Sequence, residues 1–158
     1  DVGPKREEVN RNILQFGATD LLCYRAQEPP ELIIRQEKIW QPIINWAKKE
    51  LNVSFRVTDG ISPITQSQES LSAMGDVLAA LTDLEMTGVS SVVMATGSLI
   101  VGLALKAEVI TPETATDISI LDEVYQMERW GKDKNVSDRH DQIHKDICLA
   151  YRLLRTLQ

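Results

Sequence analysis

The longest uncharged stretch of this chain runs from Met86 to Leu105, MTGVSSVVMATGSLIVGLAL, between Glu85 and Lys106. A helix that is apolar on every side has no face for water, so it either spans a membrane or lies inside a fold. The composition points to burial. Thr87, Gly88, Ser90, Ser91, Thr96, Gly97, Ser98 and Gly102 are small or polar. Ser91, Ala95, Ser98 and Gly102 recur at helical spacing and make a thin stripe that a neighbouring helix can approach closely. A spanning helix wants Trp or Tyr at its ends and a Lys/Arg bias beside it; Glu85 and a single Lys106 supply neither. Thr82-Asp83-Leu84-Glu85 reads as a capping box, a hydroxyl and a carboxylate three residues apart that satisfy orphan amides. The stretch therefore reads as one buried helix from about Asp83 to Lys106, with Gly97 and Gly102 in its interior.

Helices are expected around it. Val9, Ile13 and Phe16 share a face between Pro4 and Gly17, which suit a helix start and a helix stop. Leu21–Tyr24 is a short apolar run that reads as extended and buried. Pro29 and Pro30 end it and open a helix carrying Ile33, Ile43, Ile44, Ala47 and Leu51. Pro42 lies inside that helix, and because the apolar phase continues through it, the expectation is a kink rather than two helices. Val53, Phe55 and Val57 alternate as a strand does, up to the turn at Asp59-Gly60, and are expected to pair with the Leu22–Tyr24 run. Past the loop Ile61–Gln66, Leu71, Met74, Val77, Leu78 and Leu81 return to helical spacing. Thr111-Pro112-Glu113 is a clean start for a helix that runs to Trp130-Gly131. Ser137-Asp138 is read as the opening of the last helix, whose Ile143, Ile147, Ala150, Leu154 and Leu157 share one face. The predicted fold class is mainly α: an orthogonal helical bundle around a buried central helix at about 83–106, with a minor β element near 21–25 and 53–58.

At 158 residues, with 43% apolar and 25% charged side chains, the chain suffices for one domain with a substantial core. The net charge of −6 argues against a nucleic-acid surface, which needs clustered Lys and Arg, and disfavours an anionic membrane surface. Cys23 and Cys148 make no disulfide framework and are read as free buried thiols.

Asp122 stands out among the charged residues. It is i+4 from Ile118 and i−3 from Tyr125, within the apolar stripe of its helix, and Arg129 follows at i+7. A carboxylate facing a core needs a partner. Either it pairs internally with Arg25, Arg56 or another base, or the face is open and Asp122 and Arg129 anchor another protein. Glu123 points elsewhere, towards solvent. His140-Asp141-Gln142-Ile143-His144 places two His one helical turn apart, as in H-E-x-x-H zinc sites. Asp replaces Glu there and no third ligand follows at a recognisable spacing, so a small metal-dependent hydrolase using His140 and His144 is the alternative reading only. Trp40 and Trp46 are expected in packing, and Cys23, between Leu22 and Tyr24, is expected to be buried and inert.

Five words in order carry a resemblance. They are Thr19-Asp20-Leu21-Leu22-Cys23-Tyr24-Arg25; Trp40-x-Pro42-x-x-x-Trp46; Thr58-Asp59-Gly60; Thr96-Gly97-Ser98; and Leu121-Asp122-Glu123-x-Tyr125-Gln126-x-x-x-Trp130-Gly131. From about Arg6 to Leu157 the chain resembles the ATP synthase assembly factor 2 family, chaperones for the alpha subunit of the F-type ATP synthase in mitochondria and alphaproteobacteria. The resemblance implies an all-helical domain over 1–158, the family's smaller N-terminal α+β domain being expected to be absent. It implies no enzymatic chemistry and no cofactor, and a partner that is held until the beta subunit displaces it. It also implies a functional acidic residue at Asp122, where the family commonly has Glu; Gln41 departs from a common Asp. Asp122 is the leading partner-binding candidate, with Glu123, Arg129 and Trp130 behind it. A monomer without nucleic-acid or membrane partners is expected, cytoplasmic in a bacterium or in the mitochondrial matrix.

Overall fold

A computed structural model describes residues 5–60 and 63–157. Eight helices occur among them: α1 Arg6–Ala18, α2 Pro30–Glu50, α3 Gln68–Ala79, α4 Asp83–Thr96, α5 Leu99–Lys106, α6 Pro112–Ser119, α7 Leu121–Trp130 and α8 Lys134–Thr156. Two short strands, β1 Tyr24–Arg25 and β2 Thr58–Asp59, pair in parallel with Tyr24 opposite Thr58 and Arg25 opposite Asp59. The mainly α bundle with a minor β element is as expected. No described helix is long and apolar enough to cross a membrane.

The central helix is broken. The capping box forms as read: Thr82 accepts from the Glu85 amide and Glu85 from the Thr82 amide. The helix it starts stops at Thr96, because Gly97 takes a left-handed conformation (φ 75°) and Ser98 caps a new helix by accepting from Val101 N at 3.1 Å. The second helix folds back on the first: a Cβ on Gly102 would stand 3.4 Å from the carbonyl oxygen of Val89. In one continuous helix, thirteen residues would separate them by roughly 20 Å. A uniform apolar run conceals such a break, because both arms of a buried hairpin demand the same composition. The stripe Ser91, Ala95, Ser98, Gly102 therefore does not exist as a single face.

The hub is α5 alone. Leu99 to Leu105 are buried without exception, whereas α4 leaves Leu84 and Met94 exposed. Ile100, Val101, Ala104 and Leu105 join the core formed with α2, α6, α7 and α8, while Leu99 and Leu103 join the core formed with α1, α3 and α4. One short helix thus serves as the wall shared by two apolar clusters, which is why it carries no charge before its last residue, Lys106.

Its start is held by a residue that the sequence marks only as part of the first resemblance word. Asp20 is completely buried. Its Oδ1 accepts from Ser98 Oγ (2.7 Å) and Leu22 N (3.0 Å), and its Oδ2 from Ile100 N (2.9 Å). A carboxylate at a helix N-terminus satisfies orphan amides and meets the positive end of the helix dipole. Burial nevertheless pushes its pKa up to about 6.

Other boundaries differ from expectation. Pro4 lies outside the described residues. Gly17 is no stop: it sits buried inside α1, where a Cβ would meet Met74 Sδ at 2.6 Å. Leu21–Cys23 form a 3-10 turn, and only Tyr24–Arg25 are extended. Val53, Phe55 and Val57 precede the strand rather than form it; β2 begins at Thr58. The helix through Pro42, by contrast, continues as one element, as expected. The helix from Thr111, capped as expected, ends at Ser119, and α7 follows after Ile120. Asp133 rather than Ser137 caps α8, accepting from Asn135 N at 2.8 Å. On α8, Ile147, Ala150 and Leu154 are buried but Leu157 is exposed.

Candidate protein-docking site

The site is built where α7 lies across the first half of α2. Trp40 of α2 is fully buried and donates from Nε1 to the Ile118 carbonyl (2.8 Å), fixing the end of α6. Leu121 and Tyr125, one turn apart, then anchor α7 in the core.

Asp122, beside them, is half-buried and makes no ion pair among the described residues. Neither Arg25 nor Arg56 reaches it: Arg25 is bound to Glu37 and Gln41, and Arg56 to the Thr65 carbonyl. Its partner is an amide, Gln36 Nε2, donating to Oδ1 at 2.7 Å. Gln36 is itself buried, and its Oε1 accepts from Ala26 N (2.8 Å). That bond orients the amide so that its NH₂ faces Asp122. Burial raises the Asp122 pKa, the Gln36 bond opposes this, and the neighbouring Glu123 charge adds to the rise. Gln36 was missed in the sequence, although a signal existed: it is the polar member of the buried α2 series Leu32, Gln36, Trp40, Ile44.

Glu123 is not solvated as expected. It ties α7 to α8, accepting from Arg139 and meeting His140 Nε2 at 2.5 Å. These bonds, that with Arg139 first, hold its pKa below the usual Glu range. The two histidines of the zinc reading have these neighbours: His140 is buried against Glu123, and His144 Nε2 lies 3.6 Å from the half-buried Cys148. Among the described residues no three His, Cys, Asp or Glu side chains gather as a metal site would require. Cys23 is buried and its thiol is pushed up to about 12, chiefly by desolvation.

Arg129 does not lie in the buried stripe; it is exposed, donating to the Tyr125 hydroxyl at 3.1 Å. Trp130 is 79% exposed, the most open large apolar side chain among those described. Both line a groove of about 410 Å³ with Pro29, Pro30, Tyr125 and Gln126. The structure thus gathers Arg129 and Trp130 into one groove, sets Asp122 two turns back along α7, and turns Glu123 to the opposite side.

Comparison with known proteins decides the family. Over its whole length the chain superposes on Atp12 from Paracoccus denitrificans, with a TM-score of 0.97, 32% identity and 68% of that chain covered. The chain belongs to the Atp12 family. A family model described as ATP12 chaperone protein matches residues 1–48. A candidate chaperone from Agrobacterium tumefaciens superposes with a TM-score of 0.94 at 31% identity, over 59% of its length. The mitochondrial protein atp12 of Schizosaccharomyces pombe is 24% identical over 149 residues. The chain spans about half the length of that yeast relative (50%). Atp12 relatives are named chaperones, not enzymes. This agrees with the five sequence words.

Proposed function

We propose that this chain is an assembly chaperone that binds the unassembled alpha subunit of the F-type ATP synthase and prevents its aggregation before alpha/beta assembly. Residues 1–158 act as one helical unit, a monomer, in the compartment where that subunit is assembled: the cytoplasm of a bacterium or the mitochondrial matrix. Membership of the Atp12 family supports the class of activity.

The observation that carries the reading is Asp122, a half-buried carboxylate answered, among the described residues, by one amide and no cation. A carboxylate in that position is incompletely compensated, and a partner donor stabilises it. Trp130 and Arg129, of residue types that dominate interface energetics, extend the same face. An interface of the usual size, about 1,200–2,000 Å² in total, would cover both ends of it. The test is capture of recombinant alpha subunit. The parent should retain it and Asp122→Ala should lose at least tenfold in affinity while remaining folded, with a melting temperature lowered by only a few degrees through the stranded Gln36 amide. Equal capture by a folded Asp122→Ala protein removes Asp122 from the interface; failure of the parent to bind alpha removes the function.

A further inference from the structure

The groove at the end of α7 has a charge asymmetry that identifies its occupant. The Tyr125 ring is flanked by two guanidiniums, Arg35 at 5.2 Å and Arg129 at 5.8 Å from its centre. Arg35 is bound through both Nη atoms by Glu128 (2.8 and 3.0 Å). Arg129 is oriented by the same ring and by the Tyr125 hydroxyl, yet no described carboxylate pairs with it. Its guanidinium is a rigid fork, already positioned, of the kind that binds carboxylates. Around it stand the apolar surfaces of Trp130, Pro29 and Pro30.

Resting on the function proposed above, we propose that this groove takes a segment of the client polypeptide in which an Asp or Glu is flanked by apolar residues, the carboxylate on Arg129 and an apolar neighbour on Trp130. Charge complementarity selects the occupant: an uncharged segment leaves the fork unanswered, and a basic one meets like charge. Glu28 also lines the groove. It is exposed and unpaired with Arg129, so it weakens binding of an acidic segment without neutralising the fork. Glu123, though adjacent to Asp122, takes no part, since its carboxylate is engaged on α8.

Trp130 provides the readout, because Trp40 is fully buried and Trp46 is half-buried. The probe is the peptide acetyl-Pro-Leu-Asp-Leu-Pro-amide, with the Asn version as its neutral match, titrated into the whole chain while Trp emission is followed. The Asp peptide should shift the emission to the blue and bind at least fivefold tighter than the Asn peptide. Arg129→Glu should abolish that preference, Trp130→Phe should remove the emission signal, and Glu28→Gln should tighten the Asp peptide about twofold. Equal titration by the two peptides, or an unchanged preference in Arg129→Glu, overturns the proposal. The alpha-subunit capture run beside it reports on the function independently. If the parent captures alpha but Arg129→Glu captures it equally, the groove assignment fails and the chaperone reading stands. If the peptide preference is present and alpha is not captured, the groove stands and the client is another protein.

Discussion

Asp20 and Asp122 are both carboxylates removed from bulk water, and they have opposite surroundings. Asp20 is completely buried and accepts from two backbone amides and a hydroxyl that belong to two separate segments. Asp122 is half-buried and accepts from one side-chain amide. Burial raises both pKa values. The difference is in what remains to be done. The donors around Asp20 come from the chain, so its work is finished when the chain folds. The donors around Asp122 are incomplete, so its surroundings are finished by something else. A saturated buried carboxylate is evidence of architecture, and an undersupplied half-buried one is evidence of an interface.

The largest expected effect is on Asp20. Asp20→Ala leaves the Ile100 and Leu22 amides and the Ser98 hydroxyl without their acceptor. Each such group costs about 1–3 kcal/mol when stranded, partly offset because a buried charge is also removed. The expected net loss is roughly 3–5 kcal/mol, or about 8–15 °C in melting temperature for a chain of this size. Thermal unfolding checks it. A loss below about 1 kcal/mol would put Asp20 in the same category as Asp122 and dissolve the contrast.

Next in size is Gly97, which creates the junction that Asp20 holds. Apart from its chain neighbours, no described atom lies within 4 Å of a Cβ built there, so close packing does not forbid a β-carbon. The left-handed backbone does. Gly97→Leu should cost about 1–2 kcal/mol, and Gly97→Asn, which tolerates that conformation, distinctly less. Denaturant titration of the two variants separates backbone strain from overpacking: if Asn costs as much as Leu, the strain account is wrong.

The junction also explains what was legible beforehand. Signals that act within one turn were readable: the capping box at Thr82–Glu85, the Thr111-Pro112 start, and the apolar spacing of α3. The break at Gly97 was not, because flanking apolar residues serve a continuous helix and a hairpin equally. Asp20 stands out in the sequence only within a resemblance word, since two of its three donors lie 78 and 80 residues away. At the site, Asp122 was visible as an acid in an apolar stripe. The sequence points to a base as its partner, because charge matching is the simplest compensation, whereas the fold supplies Gln36 from α2. The i+7 spacing that places Arg129 in the stripe fails because the stripe ends first: Arg129 lies at the open C-terminal end of α7, past the last buried turn.

A smaller effect follows from pH. A pKa raised from 3.8 to about 6 means that the folded state binds a proton more tightly than the unfolded chain. The contribution of Asp20 to stability is therefore greatest at low pH and declines as pH rises from about 4 through 6. The penalty for Asp20→Ala should then be larger at pH 5 than at pH 7, by roughly 1 kcal/mol. Taking the difference between the variant and the parent at each pH cancels what is common to both, including the carboxylates whose pKa values are lowered. A penalty that shrinks on acidification contradicts the assigned surroundings of Asp20.

Asp122→Asn should have the smallest effect on stability and still a large one on binding. The amide keeps an oxygen for Gln36 Nε2, so the internal bond survives if Asn presents its carbonyl on that side. The change removes a partly desolvated charge that burial and Glu123 both disfavour, so the fold should be unchanged or slightly firmer, within about 1 kcal/mol. Whatever donor the client brings now meets a neutral group, and if that donor is a cation the affinity should fall by about tenfold, equivalent to about 1.4 kcal/mol. Melting temperature and alpha-subunit capture, measured on the same preparation, therefore move independently. Were Asp122→Asn to destabilise the protein by several kcal/mol instead, its carboxylate would be part of the architecture, like that of Asp20. The interface would then have to be sought around Arg129 and Trp130 alone.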